Sequence, residues 1–182
     1  ECNTAYPGER NTTDAHRRTM IKHGWSKLFD VDILDAEGPD LELPIPNGKR
    51  IQKNLVGKDI KNYDSMLVLS HFKGHPMGGF GGALKQLSIG CASSAGKANI
   101  HGAGKPEEMW TTEQNAFLES MADAAESVVK LFDGKIVYIN VMKNMSVDCD
   151  CCAVAEDPCM KDIGILASLD PIAIDQACLD LV

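Results

Sequence analysis

Asp148-Cys149-Asp150-Cys151-Cys152, with Cys159 just beyond, is where this sequence concentrates side chains able to do chemistry. Thiolates are soft ligands suited to zinc, Cu(I) or iron–sulfur clusters. On an extended backbone Cys149 and Cys151 project to one side and Cys152 to the other, so the first two can share a metal. A tetrahedral zinc or iron ion needs two more ligands, expected from Cys159, Cys91 or a distant histidine such as His101. No Cys-x₂-Cys pair is mirrored at a distance, so this is not a zinc ribbon. Asp148 and Asp150 should raise the thiol pKa by like-charge repulsion, which argues against a highly reactive nucleophile unless a cation binds. Metal binding, thiol redox chemistry and ordinary buried cysteines all stay open. Cys178, on an apolar helix face, reads as core.

A second stretch combines histidines, lysine and glycine: His71-Phe72-Lys73-Gly74-His75-Pro76-Met77-Gly78-Gly79-Phe80-Gly81-Gly82. It follows the apolar run Ser65–Ser70 and precedes a helical pattern from Ala83 to Ile89. Loops leaving the C-terminal ends of parallel strands are where α/β proteins bind ligands. Gly78, Gly79, Gly81 and Gly82 permit close backbone approach, and free N–H groups at the following helix favour phosphate or carboxylate. Lys73 and Lys85 add positive charge. A small anionic ligand is therefore expected here, with His71, Lys73 and His75 as candidate acid–base residues. The loop lacks the Gly-Lys-Ser/Thr ending of a Walker A motif and the downstream acid of a dinucleotide fingerprint. Gly74 and Pro76 also make a metal-binding helix through His71 and His75 a poor expectation.

The elements that must position these residues alternate. Asp14 to His23 reads as a helix closed by Gly24. Val31–Leu34 reads as a short strand, and the region around Pro46-Asn47-Gly48-Lys49 as a hairpin. Gln52–Ile60 reads as a weak helix, and Ser65–Ser70 as a strand buried on both faces. Ala92–Met109 is small, polar and irregular. Thr111 and Gln114 offer a capping box for a helix from about Thr112 to Phe132, with Phe117, Met121, Ala124, Val128 and Phe132 as its apolar stripe. Lys135–Met142 and Ile163–Ala167 read as strands, and Asp170-Pro171 opens a last helix. Strands alternating with helices predict an α/β fold, with a mostly parallel sheet, helices on both faces and a small hairpin.

The whole chain, 182 residues and 44% hydrophobic, suits one buried core and a single α/β domain over 1–182. It opens at Glu1 and ends at Val182 inside an apolar pattern, so truncation at one or both ends is expected. A net charge of −8 disfavours nucleic acid, and the densest cations (Lys49, Arg50, Lys53, Lys58) read as a solvated face. No run is apolar for the length a membrane span needs, and no signal peptide is visible. The 7 cysteines are odd in number and clustered, which suits a reduced, cytoplasmic compartment and not a secreted disulfide scaffold.

Ser70-His71-Phe72-Lys73-Gly74-His75, Gly78 to Lys85, Gly90-Cys91-Ala92-Ser93, Ala95-Gly96-Lys97 and His101 together resemble the central motif of the domain of unknown function 362 family. Asn3-Thr4-Ala5-Tyr6, Arg10 and His16 resemble its N-terminal loop. Asp148-Cys149-Asp150-Cys151, Asp162-Ile163-Gly164-Ile165 and Asp170 to Ala177 resemble its C-terminal signature. The resemblance implies an uncharacterised protein of the "Fe–S centre" type. Members often carry a ferredoxin segment after the residues matching His101; here Gly102 to Phe132 holds no cysteine, so a ferredoxin-type [4Fe–4S] cluster is not expected. The leading expectation is a metal- or iron–sulfur-associated protein, redox-linked through a partner protein, with an anion on the glycine loop. The alternatives are a non-catalytic binding module around a structural metal, and a racemase- or isomerase-like enzyme using His71, His75 and Lys73.

Overall fold

The computed structural model describes every residue of 1–182 except Pro39 and Ala153. Helix α1 (Thr13–Lys22) is capped by the Thr12 hydroxyl, and Gly24 follows it in the left-handed conformation. Strands β1 (Leu41–Pro44) and β2 (Lys53–Val56) pair antiparallel. The hairpin loop runs from Ile45 to Gln52, wider than a two-residue Asn-Gly turn, and closes through Ile45 N–H to the Gln52 carbonyl (2.8 Å). Strand β3 (Met66–His71) leads into the short antiparallel pair β4 (Lys73–His75) and β5 (Gly79–Gly81). Helices α2 (Ala83–Cys91), α3 (Ser94–His101) and α4 (Gln114–Phe132) come next. Strands β6 (Ile136–Met142) and β7 (Gly164–Ser168) and helix α5 (Pro171–Leu181) complete the chain.

The fold is mixed α/β, and its main sheet differs from the expected one. It has the order β3-β6-β7; β3 and β6 are parallel, while β6 and β7 are antiparallel. Its inner face carries Val68, Ser70, Ile136, Tyr138, Asn140 and Met142, all buried under α2, α4 and α5. Its other face is not covered as expected: Leu67 is 58%, Leu69 59% and Ile165 70% exposed. The apolar run of β3 is therefore buried on alternate residues only. Continuous apolarity marks a strand that can be buried twice, and it does not say what the described chain supplies to do so.

Three further readings change for local reasons. Val31–Leu34 forms no strand; Leu34 N–H bonds to the Glu1 carbonyl and its own carbonyl accepts from Asp59, so no sheet neighbour is needed. Lys53–Val56 is strand, and the helical tendency after it survives only as a 3₁₀ turn, Lys58–Asn62. The small residues after Ala92 are helical, because Ser93 Oγ accepts from Gly96 N–H (3.0 Å) and caps α3. Helix α4 starts at Gln114 under the Glu113 carboxylate, with the predicted apolar stripe buried. Asp123 is buried too: it accepts the N–H groups of Lys49, Arg50 and Ile51 and holds the hairpin loop on α4. Arg50 and Lys49 ion-pair with Glu119 and Lys53 with Glu42, so the basic cluster is an acid-matched face.

Candidate functional site

Parallel pairing of β3 with β6 brings both C-terminal ends to one edge of the sheet. The β4–β5 hairpin leaves the first and the cysteine segment leaves the second, so the two stretches singled out in the sequence meet there. Gly74 fixes how close. Its N–H donates to the Ser146 carbonyl (2.8 Å), and a Cβ on it would lie 2.0 Å from the Val147 carbonyl oxygen. Only glycine allows this approach. The neighbouring Lys73 side chain is thereby set against the turn that begins at Cys149.

That turn is closed by Cys152 N–H to the Cys149 carbonyl (2.9 Å) and places both sulfurs together. Cys149 Sγ and Cys151 Sγ are 2.7 Å apart, and both cysteines are free. Cys149 is 2% exposed, whereas Cys151 is exposed. Lys73 Nζ, buried, lies 3.5 Å from Cys149 Sγ, and Cys151 N–H points at the same sulfur from 3.4 Å. His75 accepts Met77 N–H and Gly78 N–H on Nδ1 (3.3 and 2.9 Å). That leaves its proton on Nε2, and the ring is in hydrogen-bonding reach of Cys149. Lys85 adds positive charge from the first turn of α2.

These donors decide the charge. Hydrogen bonding from Cys151, with His75 and Lys85 behind it, outweighs burial and holds the Cys149 thiol far below its usual range. Cys151 is pushed the other way, by its bond to Cys149 and by burial. The repulsion expected from Asp148 and Asp150 does not dominate, because both carboxylates are engaged with other donors. Asp150 pairs with His71 Nδ1 (3.0 Å), and Asp148 accepts Glu156 N–H (2.9 Å). Tyr6, in reach of Cys151, packs against the exposed Trp110 with ring centroids 5.9 Å apart and the planes tilted by 56°; the sequence marked Tyr6 only through the N-terminal resemblance.

The other expected residues are placed elsewhere or are otherwise engaged. His71 bonds through its second nitrogen to the Lys143 carbonyl (2.8 Å), so neither nitrogen is free for acid–base work. The N-terminus of α2 already holds an anion, the protein's own. Asp175, 2% exposed, accepts Ala83 N–H (2.7 Å), Leu84 N–H (2.9 Å) and Asn140 Nδ2 (2.8 Å). Gly82 is the N-cap, where a Cβ would sit 2.3 Å from that carboxylate. Gly78 is spent on His75, Gly81 pairs with Lys73 across the hairpin, and Gly79 takes the left-handed turn. The glycine loop and the turn of α2 that follows it therefore direct donors at two internal groups, the Asp175 carboxylate and the Cys149 sulfur.

Among the described residues no three His, Cys, Asp or Glu side chains converge as a metal site. Cys91 lies in the core beside Cys2, burial pushing it up to about 12. Cys159 is exposed with Sγ toward the Met145 carbonyl, and Cys152 is half-buried on the far side of the turn. His101 donates Nδ1–H to the Lys97 carbonyl (2.7 Å) and stacks on Phe117 at 4.9 Å. Cys178 is core, as expected.

Burial lowers His101 to about 4 from an ordinary 6.5. The unfolded chain thus binds more protons between those values, and stability falls as pH drops through that window. His101→Gln should flatten the slope of urea midpoint against pH between 6.5 and 4; an unchanged slope would assign the sensitivity to other groups.

Fold and site define a mixed α/β domain with a buried thiol, Cys149, beside an exposed one, Cys151, at the C-terminal ends of β3 and β6. The model of the family described as domain of unknown function 362 matches residues 1–180, and the chain belongs to that family. No curated protein and no solved structure matches it. No helix among the described residues is long and apolar enough to cross a membrane.

Proposed function

We propose that the chain is a redox-active thiol protein whose centre, Cys149 and Cys151, cycles between dithiol and disulfide with a partner redox protein. The carrying observation is the buried Cys149 sulfur, 2.7 Å from Cys151 Sγ and 3.5 Å from Lys73 Nζ. A disulfide needs its sulfurs at about 2.05 Å, within a small side-chain rotation of this arrangement. Oxidation forms one S–S bond, releases two electrons to the partner's disulfide and frees the proton that Cys151 holds. Lys73 and His75 keep the reduced pair's negative charge on Cys149.

Equilibration with oxidised glutathione, acid quenching and tandem mass spectrometry test this. A Cys149–Cys151 link that a dithiol reverses is expected, with Cys2, Cys91 and Cys178 unmodified. A link that runs instead to Cys152 or Cys159, or no reversible link, overturns the reading.

A further inference from the structure

We infer that the pair works in the oxidising direction: its substrate is a partner dithiol, whose thiolate attacks the exposed Cys151 sulfur of the Cys149–Cys151 disulfide and expels Cys149. The inference rests on the dithiol reading above and assigns it a direction, a substrate class and an order of events.

Access selects the sulfur that is attacked. Cys149 is 2% exposed and lies behind the turn; Cys151 is at the surface. A macromolecular thiolate reaches Cys151 alone. Charge selects the sulfur that leaves, because exchange is faster when the departing thiol is the more acidic. Cys149 departs toward Lys73 Nζ (3.5 Å), the Cys151 N–H (3.4 Å) and His75. The opposite task, reduction of a partner disulfide, needs an attacking thiolate that is both formed and reachable. Cys149 is formed but enclosed, and Cys151 is reachable but held as the thiol. A reduced form stabilised in this way also makes the disulfide the better oxidant.

The step balances. The partner's thiolate bonds to Cys151 Sγ as the Cys149–Cys151 bond breaks, leaving a mixed disulfide on Cys151 and a thiolate on Cys149. The partner's second thiolate then attacks its own sulfur in the mixed disulfide, and Cys151 departs and takes a proton from solvent. Two electrons have moved from partner to pair, and the partner holds the new disulfide. Recharging is the same exchange in reverse; it is the slower direction, because the reachable sulfur is held as the thiol, and an excess of a more oxidising disulfide drives it through the small fraction of Cys151 that is thiolate.

Glutathione serves as probe on the intact chain. Oxidised protein mixed with reduced glutathione and quenched in acid should carry the glutathione on Cys151, with Cys149 free. Across glutathione redox buffers the pair should be easier to reduce than glutathione disulfide. Lys73→Met should shift that equilibrium about tenfold toward the protein disulfide, about 30 mV for a two-electron couple. Adduct mainly on Cys149, or a pair harder to reduce than glutathione disulfide, overturns the direction and leaves the dithiol reading standing. Failure to form the disulfide at any glutathione ratio removes the dithiol reading itself.

Discussion

Asp175→Ala should cost about 3–4 kcal/mol of folding stability, because it leaves two helix N–H groups and a buried amide without an acceptor and opens a small void. The carboxylate lies at the start of α2, which packs against α4, α5 and β3, so the loss spreads through the main core. The helix dipole adds to the effect, since its positive end loses its only buried negative partner among the described residues. Asn140 suffers directly: its Oδ1 has no partner in the fold, and its Nδ2 would be left with the Cys178 sulfur. Asp175→Asn keeps one acceptor but turns an NH₂ toward a backbone N–H, so its cost should lie between wild type and Ala. Urea denaturation at neutral pH gives the order. Equal midpoints for wild type and Asp175→Ala would mean that solvent reaches the helix end and replaces the carboxylate.

The same residue shows where the sequence was legible and where it was not. Glycines before a helix, with lysines beside them, raised the expectation of a bound anionic ligand, and the structure puts the chain's own Asp175 carboxylate on that helix N-terminus. Whether the anion comes from outside or from the chain is a question of tertiary placement. Asp175 lies far along the chain, and only the packing of α5 on α2 brings it there. The thiol site divides the same way. The two-residue spacing of Cys149 and Cys151 announced a shared direction, but the turn that meets it and the lysine behind it come from β3–β6 pairing and the Gly74 approach. Asp148 and Asp150 misled because sequence does not show which donors they meet; Asp150 pairs with His71 and Asp148 accepts Glu156 N–H, while His75 and Lys85 reach Cys149 from other elements. Helices α1, α4 and α5 were readable from local signals, although Asp170 alone caps as expected: α1 is capped by Thr12 and not Asp14, and α4 by Glu113 and not a Thr111–Gln114 box. The strand count and direction of the sheet were not, since a run such as Ile163–Ala167 carries no mark of which way it will pair. Helix α3 was missed because Gly96, Ser94 and Asn99 depress propensity, although Ser93 was a usable cap signal.

Cys149 should titrate as a thiolate well into the acid range in the wild type, and Lys73→Met should move that titration upward by about 1–2 pH units. Lys73 is chosen because its ammonium is buried against the sulfur and so is poorly screened by solvent. The linkage has a definite sign. A thiol whose folded pKa is depressed contributes stability that is fully present above its unfolded value, near 8.5 for an ordinary cysteine. That contribution is lost as pH falls toward the folded value. Wild-type stability should therefore rise with pH through the neutral range and level off near 8.5. In Lys73→Met the rise should begin at higher pH and be smaller in total; in Cys149→Ser it should vanish. Thiolate absorbance near 240 nm follows the ionisation, and urea midpoints across the same pH series follow the energy. Cys151→Ala separates the two sources of the shift. It removes the neighbouring donor but keeps the lysine, so Cys149 should titrate above the wild type yet below an ordinary cysteine. If Lys73→Met leaves both absorbance and midpoints on the wild-type curves, the lysine fills space and does not hold the charge, and the electrostatic account of the site fails.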